Sequence, residues 1–261
     1  MNSALKDGIL DNKVAFITGG TSGINLGIAR RFVAAGAKVT VLGRNADKAR
    51  AARESLGAHV LDVTADVRQP DQLAAALAQA RDRFGEIDIL VAGAAGNFPS
   101  PALAMSPNGF KAVVDIDLLG TFNALRLGYE HLRRPGAHVL AISAPQAQVP
   151  SMLQSHVCAA KAGVDMLVKT LALEWGALGV RVNSIWPGAV EGTEGMQRLA
   201  PTPESHARIA GAIPLGRFAS AEEIAEVALF LSTDSARYVT GAVWAVDGGM
   251  SLVGFHALAG S

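Results

Sequence analysis

Cysteine is nearly absent from this 261-residue chain. Cys158 is the only one, which excludes an internal disulfide and fits a reducing cytoplasm. An excess of charge is missing too. Lys plus Arg and Asp plus Glu number 23 each, so no net field draws the chain to nucleic acid or an anionic membrane. No apolar run approaches the roughly 18 residues that a membrane span needs. Residues 1–13, with Lys6, Asp7, Asp11 and Lys13, hold no signal-peptide core. Linkers, repeats and low-complexity tracts are lacking as well. A cytoplasmic protein of one domain over residues 1–261 is expected, with no nucleic-acid or membrane partner and no metal site. Cys158 is expected as small buried filler.

What is present is apolar: half of the residues are hydrophobic and 18% are charged, enough for a large core. Short β-branched runs at 14–18, 38–42, 59–61, 87–91, 138–142, 180–185 and 242–246 alternate with Ala- and Leu-rich helical stretches. Near-continuous apolar strands separated by helices indicate a parallel sheet covered on both faces. The expected fold is α/β, a Rossmann-like doubly wound sheet of about seven strands, with ligands at the carboxyl ends of the strands. Long helices are expected over about 106–134 and 151–178. Leu167, Leu171, Leu173 and Trp175 give the second an apolar side suited to packing against a copy of itself.

The first strand runs into a glycine-rich turn, Gly19-Gly20-Thr21-Ser22-Gly23-Ile24, and then into an Ala-containing helix. Glycines let backbone approach a pyrophosphate whose charge the helix N-terminus holds. The second strand ends in Leu42-Gly43-Arg44 with no acidic residue to meet an adenosine ribose and repel a 2′-phosphate, whereas Arg44 suits that phosphate. NADP(H) is therefore expected over NAD(H).

The Gly19-x-x-x-Gly23 spacing resembles that of the short-chain dehydrogenase/reductase family, and the resemblance spans Lys13 to Gly249. It implies further cofactor contacts: Asp66 and Val67 at the adenine, Ala94 within Ala92-Gly93-Ala94-Ala95-Gly96-Asn97, Pro187 and Gly188 along the nicotinamide, and Thr193. Lys161 would hold the nicotinamide ribose. The family pattern has a third glycine where this chain has Asn25, a residue tolerant of left-handed backbone; Gly27 is expected to take over close helix packing.

In the same family a serine, a tyrosine and a lysine form the catalytic trio, often with an asparagine. Counting from Lys161, the tyrosine position is Val157, the serine position Ala144 and the asparagine position Asp117. This combination resembles the peroxisomal-type 2,4-dienoyl-CoA reductases, as do Ala94-Ala95-Gly96-Asn97-Phe98, Glu174-Trp175-Gly176 and Gly192-Thr193-Glu194-Gly195. The resemblance implies catalysis by Lys161, Asp165 and Asp117, an acyl-CoA substrate and a homotetramer. Lys161 and Asp165, four residues apart, share one helix face. Asp165 with Asp117 would order a proton-supplying water, and Asn97 would donate to substrate or cofactor. Hydride transfer to a conjugated carbon needs no phenol, because charge spreads into a dienolate. The alternatives are a hydroxyacyl or ketoacyl dehydrogenase, disfavoured by Val157 and Ala144, and a catalytically silent NADP-binding protein. Leu119 departs from the branch, which has a polar residue there. Residues 195–213 read as a substrate lid whose Arg198 and Arg208 are expected to be solvated. His156 is expected to serve packing and Ser143 to point away from the site.

Overall fold

Runs of Val, Ile and Leu without polar alternation suit strands covered on both sides. The computed structural model, which describes residues 8–253, assembles seven of them into one parallel sheet. The strands are β1 (Val14–Thr18), β2 (Lys38–Gly43), β3 (Val60–Thr64), β4 (Ile89–Ala92), β5 (His138–Ile142), β6 (Arg181–Pro187) and β7 (Val243–Val246). The calls at Lys6 and Asp7 lie outside the described residues. The order β3-β2-β1-β4-β5-β6-β7 bears out the doubly wound expectation. β3 runs further than 59–61 because it is an edge strand, whose Asp62 and Thr64 break the apolar run. β4 starts after Asp88, a buried residue that accepts from the Val14 amide at 3.0 Å and pairs with Arg133 at 2.9 Å.

Helices α1 (Gly23–Ala34), α2 (Ala46–Leu56), α3 (Pro70–Phe84), α4 (Pro107–Val114), α5 (Gly120–Gly128) and α6 (Ser155–Gly176) follow the strands in turn. The chain continues with α7 (Glu194–Leu199), α8 (Pro203–Ala212) and α9 (Ala221–Leu231). Ile28 and Phe32 of α1 and Ile224 and Leu229 of α9 pack on Ile17, Val39 and Ile185 of the sheet. On the other face Leu73, Leu77, Leu125, Val164 and Val168 cover Phe16, Leu90 and Val139. Each such side chain stabilises the fold by about 1.5–3 kcal/mol on burial.

The helix expected over 106–134 is interrupted. A π-helical turn, Asp115–Leu119, joins α4 to α5, and it turns Asp117 inward while Leu119 stays exposed. The extra residue in such a turn re-aims side chains, often at functional sites. The apolar side expected of α6 is not one stripe. Leu171 is buried, Leu167 and Trp175 lean on the core, and only Leu173 faces outward. Among the described residues no helix is long and apolar enough to cross a membrane.

Candidate active site

β1 is flanked by β2 on one side and β4 on the other, so the strand order reverses there, the point at which such sheets open a crevice at the strand ends. The glycine turn lies in it. Gly19 has φ 70°, and a Cβ on it would meet the Ala94 backbone at 3.0 Å. Only glycine lets the turn run this close to the β4 loop. Ser22 stands at the N-cap of α1, yet its hydroxyl caps nothing and no acidic residue follows in the first turn. Ile24 is half-buried on that turn. Free amides and a free hydroxyl at a helix N-terminus fit an anion.

Thr21 packs against Gly43 at the end of β2, 2.6 Å from where a Cβ would stand. Arg44 follows, exposed and without a hydrogen bond or salt bridge among the described residues. Asp66 is gripped by Arg68 at 2.6 Å, which holds its carboxyl below the usual range. Val67 is buried, and its carbonyl accepts from Asn123 at 3.0 Å. Pro187 ends β6, and Gly188 passes so close to Asp247 that a Cβ would lie 2.6 Å from its Cα. Thr193 caps α7 and brings its methyl within 3.6 Å of a Cβ built on Gly23. Gly19, Thr21, Gly43 and Ala94 thus stand together at the carboxyl ends of β1, β2 and β4, with Thr193 beside Gly23, an arrangement that fits a dinucleotide's phosphates.

Lys161 is 6% exposed on α6. Its Nζ donates to the Ile142 carbonyl at 2.9 Å and pairs with Asp117 Oδ2 at 3.3 Å. The Gly96 amide donates to Asp117 Oδ1 at 2.7 Å, so both carboxylate oxygens are engaged. Val157 is buried at the phenol position. Lys161 and Asp165 lie four residues apart on α6 and form no ion pair with each other. Asp165 faces β6, accepting from Ser184 Oγ at 3.0 Å and from Trp186 Nε1 at 2.7 Å. Burial pushes its carboxyl above the usual value, opposed by hydrogen bonds from Ser143, Trp186 and Ser184. The structure therefore does not bring Asp165 and Asp117 together: each spends its oxygens on different partners.

Other expectations change as well. Cys158 is half-buried rather than buried. Asn25 sits within α1 and needs no left-handed backbone, and Gly27 packs on α9, where a Cβ would lie 2.8 Å from that of Ala221. Arg198 is not simply solvated: it donates to the Asn97 carbonyl at 2.7 Å. Arg208 is exposed. Ser143 is buried and turns to α6, its hydroxyl donating to Asp165 and lying 3.4 Å from the Lys161 carbonyl. His156 is fully buried and its ring lies 4.7 Å from that of Phe98. Ser184 and Trp186 were missed as partners of Asp165. Their i, i+2 spacing puts two polar donors on one face of β6, a signal readable in advance. The Gly96 amide and Ile142 carbonyl are backbone groups and leave no such signal.

A doubly wound sheet with an anion-accepting turn at its switch point and a buried lysine beside it defines a nucleotide-dependent oxidoreductase. Known proteins agree. The Enoyl-(Acyl carrier protein) reductase family profile matches residues 19–251. The peroxisomal 2,4-dienoyl-CoA reductase of Rattus norvegicus, named as (3E)-enoyl-CoA-producing, is 44% identical over 92% of this chain and 84% of its own length. A probable 2,4-dienoyl-CoA reductase of Bacillus subtilis, named as (2E)-enoyl-CoA-producing, is 36% identical over 93% of this chain and 98% of its own. A crystal structure of a short chain dehydrogenase from Bacillus anthracis superposes with a TM-score of 0.83 at 36% identity, covering 92% of this chain and 96% of that one. The chain belongs to the short-chain dehydrogenase/reductase family and is an oxidoreductase.

Proposed function

We propose that the protein is an NADPH-dependent reductase of 2,4-dienoyl-CoA thioesters acting in acyl-CoA catabolism. One observation carries this reading: where the family's phenol and serine would stand there are Val157 and Ala144, and the surviving lysine is buried against Asp117. An apolar Val157 offers no acid to a carbonyl oxygen, which disfavours alcohol–ketone exchange. When bound, a reduced nicotinamide supplies hydride. Reduction of the thioester at its δ-carbon leaves a dienolate, and protonation at the α-carbon gives a 3-enoyl thioester while protonation at the γ-carbon gives a 2-enoyl thioester. The relatives' names divide along that line, and the 44% identity to a 3-enoyl producer favours the α-carbon.

Lys161 has three N–H groups. The Ile142 carbonyl and Asp117 take two, which leaves the third to donate to a nicotinamide ribose. Its charge also stabilises a dienolate nearby. The Lys161–Asp117 pair orders the water that gives up the proton, and Asp165 acts by fixing Trp186 and Ser184 beside Pro187 and Gly188. Gly19, Thr21, Ser22, Gly23 and Ile24 hold the pyrophosphate, Asp66, Val67 and Ala94 line the adenosine and ribose, and Thr193 closes the mouth. NADP(H) over NAD(H) rests on Arg44. Homotetramer assembly is supported by Leu119, Phe122, Met166 and Leu173, all exposed on the π-helical turn, α5 and α6. A cytoplasmic setting rests on the single free thiol; fractionation of the source cells tests it, since the rat relative is named as peroxisomal.

The test follows NADPH absorbance with a 2,4-dienoyl-CoA, a 3-ketoacyl-CoA and a 2-enoyl-CoA. Oxidation of NADPH with the dienoyl substrate is expected, with a 3-enoyl product by mass spectrometry and NMR. Turnover of the ketoacyl substrate alone overturns the reading, and NADPH binding without any turnover points to a silent protein.

A further inference from the structure

Asn25 takes the place of a glycine that the family pattern puts in the cofactor turn. Its side chain is not idle. Within α1, and only 8% exposed, it donates from Nδ2 to the Gly93 carbonyl at 2.7 Å, across 68 residues of sequence. Gly93 is the first residue beyond β4. A Cβ on Gly93 would lie 2.3 Å from Asn25 Oδ1 and 2.5 Å from both Cγ and Nδ2. No pair of carbon, nitrogen and oxygen atoms tolerates that approach without bonding, so the amide of Asn25 fills the space that any other residue at 93 needs. The glycine missing from the helix is matched by a glycine at the strand end.

The same short segment is held from β1. Thr18 Oγ1 accepts from the Gly93 amide at 3.0 Å and from the Ala94 amide at 3.3 Å. Gly19 packs against Ala94. Strand end, turn and first helical turn therefore all fasten to Gly93 and Ala94. Asn25 Oδ1 is buried without a partner among the described residues. As an oxygen it only accepts, so a phosphate oxygen is not its ligand.

We propose that Asn25 is a positioning residue for the dinucleotide: its amide locks the glycine turn to the end of β4, and Gly93 is its obligate partner. The lock presents the turn's amides in a fixed arrangement before the cofactor arrives, which spares the ordering cost at binding. This rests on the turn being the pyrophosphate site, as proposed above. Aspartate at 25 has the same shape but sets an acceptor against the Gly93 carbonyl. Glycine at 25 removes the amide and clears space for a side chain at 93.

The experiment measures NADPH affinity by fluorescence titration, the KM for NADPH and kcat, and thermal unfolding without cofactor. It uses the full chain and its Asn25→Asp, Asn25→Gly, Gly93→Ala and Asn25→Gly/Gly93→Ala variants. Asn25→Asp is expected to weaken NADPH about tenfold, with the larger part of the loss in KM rather than kcat. Gly93→Ala is expected to weaken binding at least tenfold in the parent and less than threefold in the Asn25→Gly background, where the space is open. The unfolding curves identify any variant that fails to fold, and the Asn25→Gly background keeps Gly93→Ala interpretable. Equal losses from Gly93→Ala in both backgrounds, or parent-like affinity in Asn25→Asp, overturn the proposal alone. A parent that binds neither NADPH nor NADH overturns the cofactor reading and this proposal with it.

Discussion

Asp117 and Asp165 are almost equally buried, at 1% and 4% exposure; Asp117 lies in the π-helical turn packed against α6, and Asp165 on α6 itself, one turn beyond Lys161. Their partners differ in kind. Asp117 meets a cation and a backbone amide. Asp165 meets only neutral donors, two hydroxyls and an indole N–H, and burial pushes its carboxyl upward. A buried ion pair is sensitive to the loss of either member, because the survivor is left as an uncompensated charge. A carboxyl among neutral donors loses only hydrogen bonds. The first arrangement concentrates an electrostatic field where chemistry can use it; the second fixes α6 to β6.

The largest expected effect tests that division directly. Lys161→Met should lower kcat/KM by about 10³-fold, the scale on which removing a preorganised donor acts. It should also destabilise the fold by about 3–5 kcal/mol, since Asp117 is left buried and unpaired. Adding Asp117→Leu should restore most of the stability without restoring activity, as urea unfolding and NADPH oxidation would show. A double variant as unstable as Lys161→Met would mean that the pair is not what holds Asp117 in place.

Asp165→Ala should act less on turnover and more evenly on structure. It strands the Trp186 N–H and the Ser184 hydroxyl, at a cost of about 1–3 kcal/mol in denaturant unfolding. Its kcat should fall less than that of Lys161→Met. An equal or greater fall would promote Asp165 from a support of β6 to a participant in the reaction.

A smaller effect concerns pH. The Asp165 carboxyl is raised by burial, so the folded state holds its proton more tightly than the unfolded chain. Its contribution to stability is fully present below the ordinary 3.8 and is lost as pH rises through the raised folded value. Asp165→Asn should lack this slope in urea titrations across the mildly acidic range. A parent and variant with parallel stability–pH curves would remove the distinction drawn between the two aspartates.

The unequal legibility of the two aspartates in the sequence has a physical cause. The sheet was readable because parallel strands must be apolar on both sides, which a single sequence displays. The glycine turn was readable because it falls between the first strand and a helix, where the close approach of Gly19 to Ala94 leaves no room for a side chain. The separate partners of Lys161 and Asp165 were not readable, because i, i+4 spacing fixes which residues are neighbours on a helix, not which surface each meets. Lys161 reaches the end of β5 and the π-helical turn, and Asp165 reaches β6. The π-helical turn itself adds no residue type that marks it, yet it decides that Asp117 faces inward.

Glu223 supplies a third carboxylate, placed at the surface, against which the two buried ones can be scaled. It closes a capping box at the start of α9 and pairs with Arg217 at 2.6 Å. Chiefly through Arg217, and next through the Ser220 amide, its pKa is lowered from 4.5 to about 2. Here the sign is opposite to that of Asp165: the stabilisation is complete above pH 4.5 and drains away as pH falls toward 2. Water screens so exposed a pair, so the loss should be about 1 kcal/mol rather than the full value of the shift. Glu223→Gln should flatten that acid limb while leaving neutral-pH stability within about 1 kcal/mol of the parent, because glutamine still accepts from the Ser220 amide. Since α9 packs on α1, an acid limb that persists unchanged in Glu223→Gln would show that the Arg217–Glu223 pair is not its source.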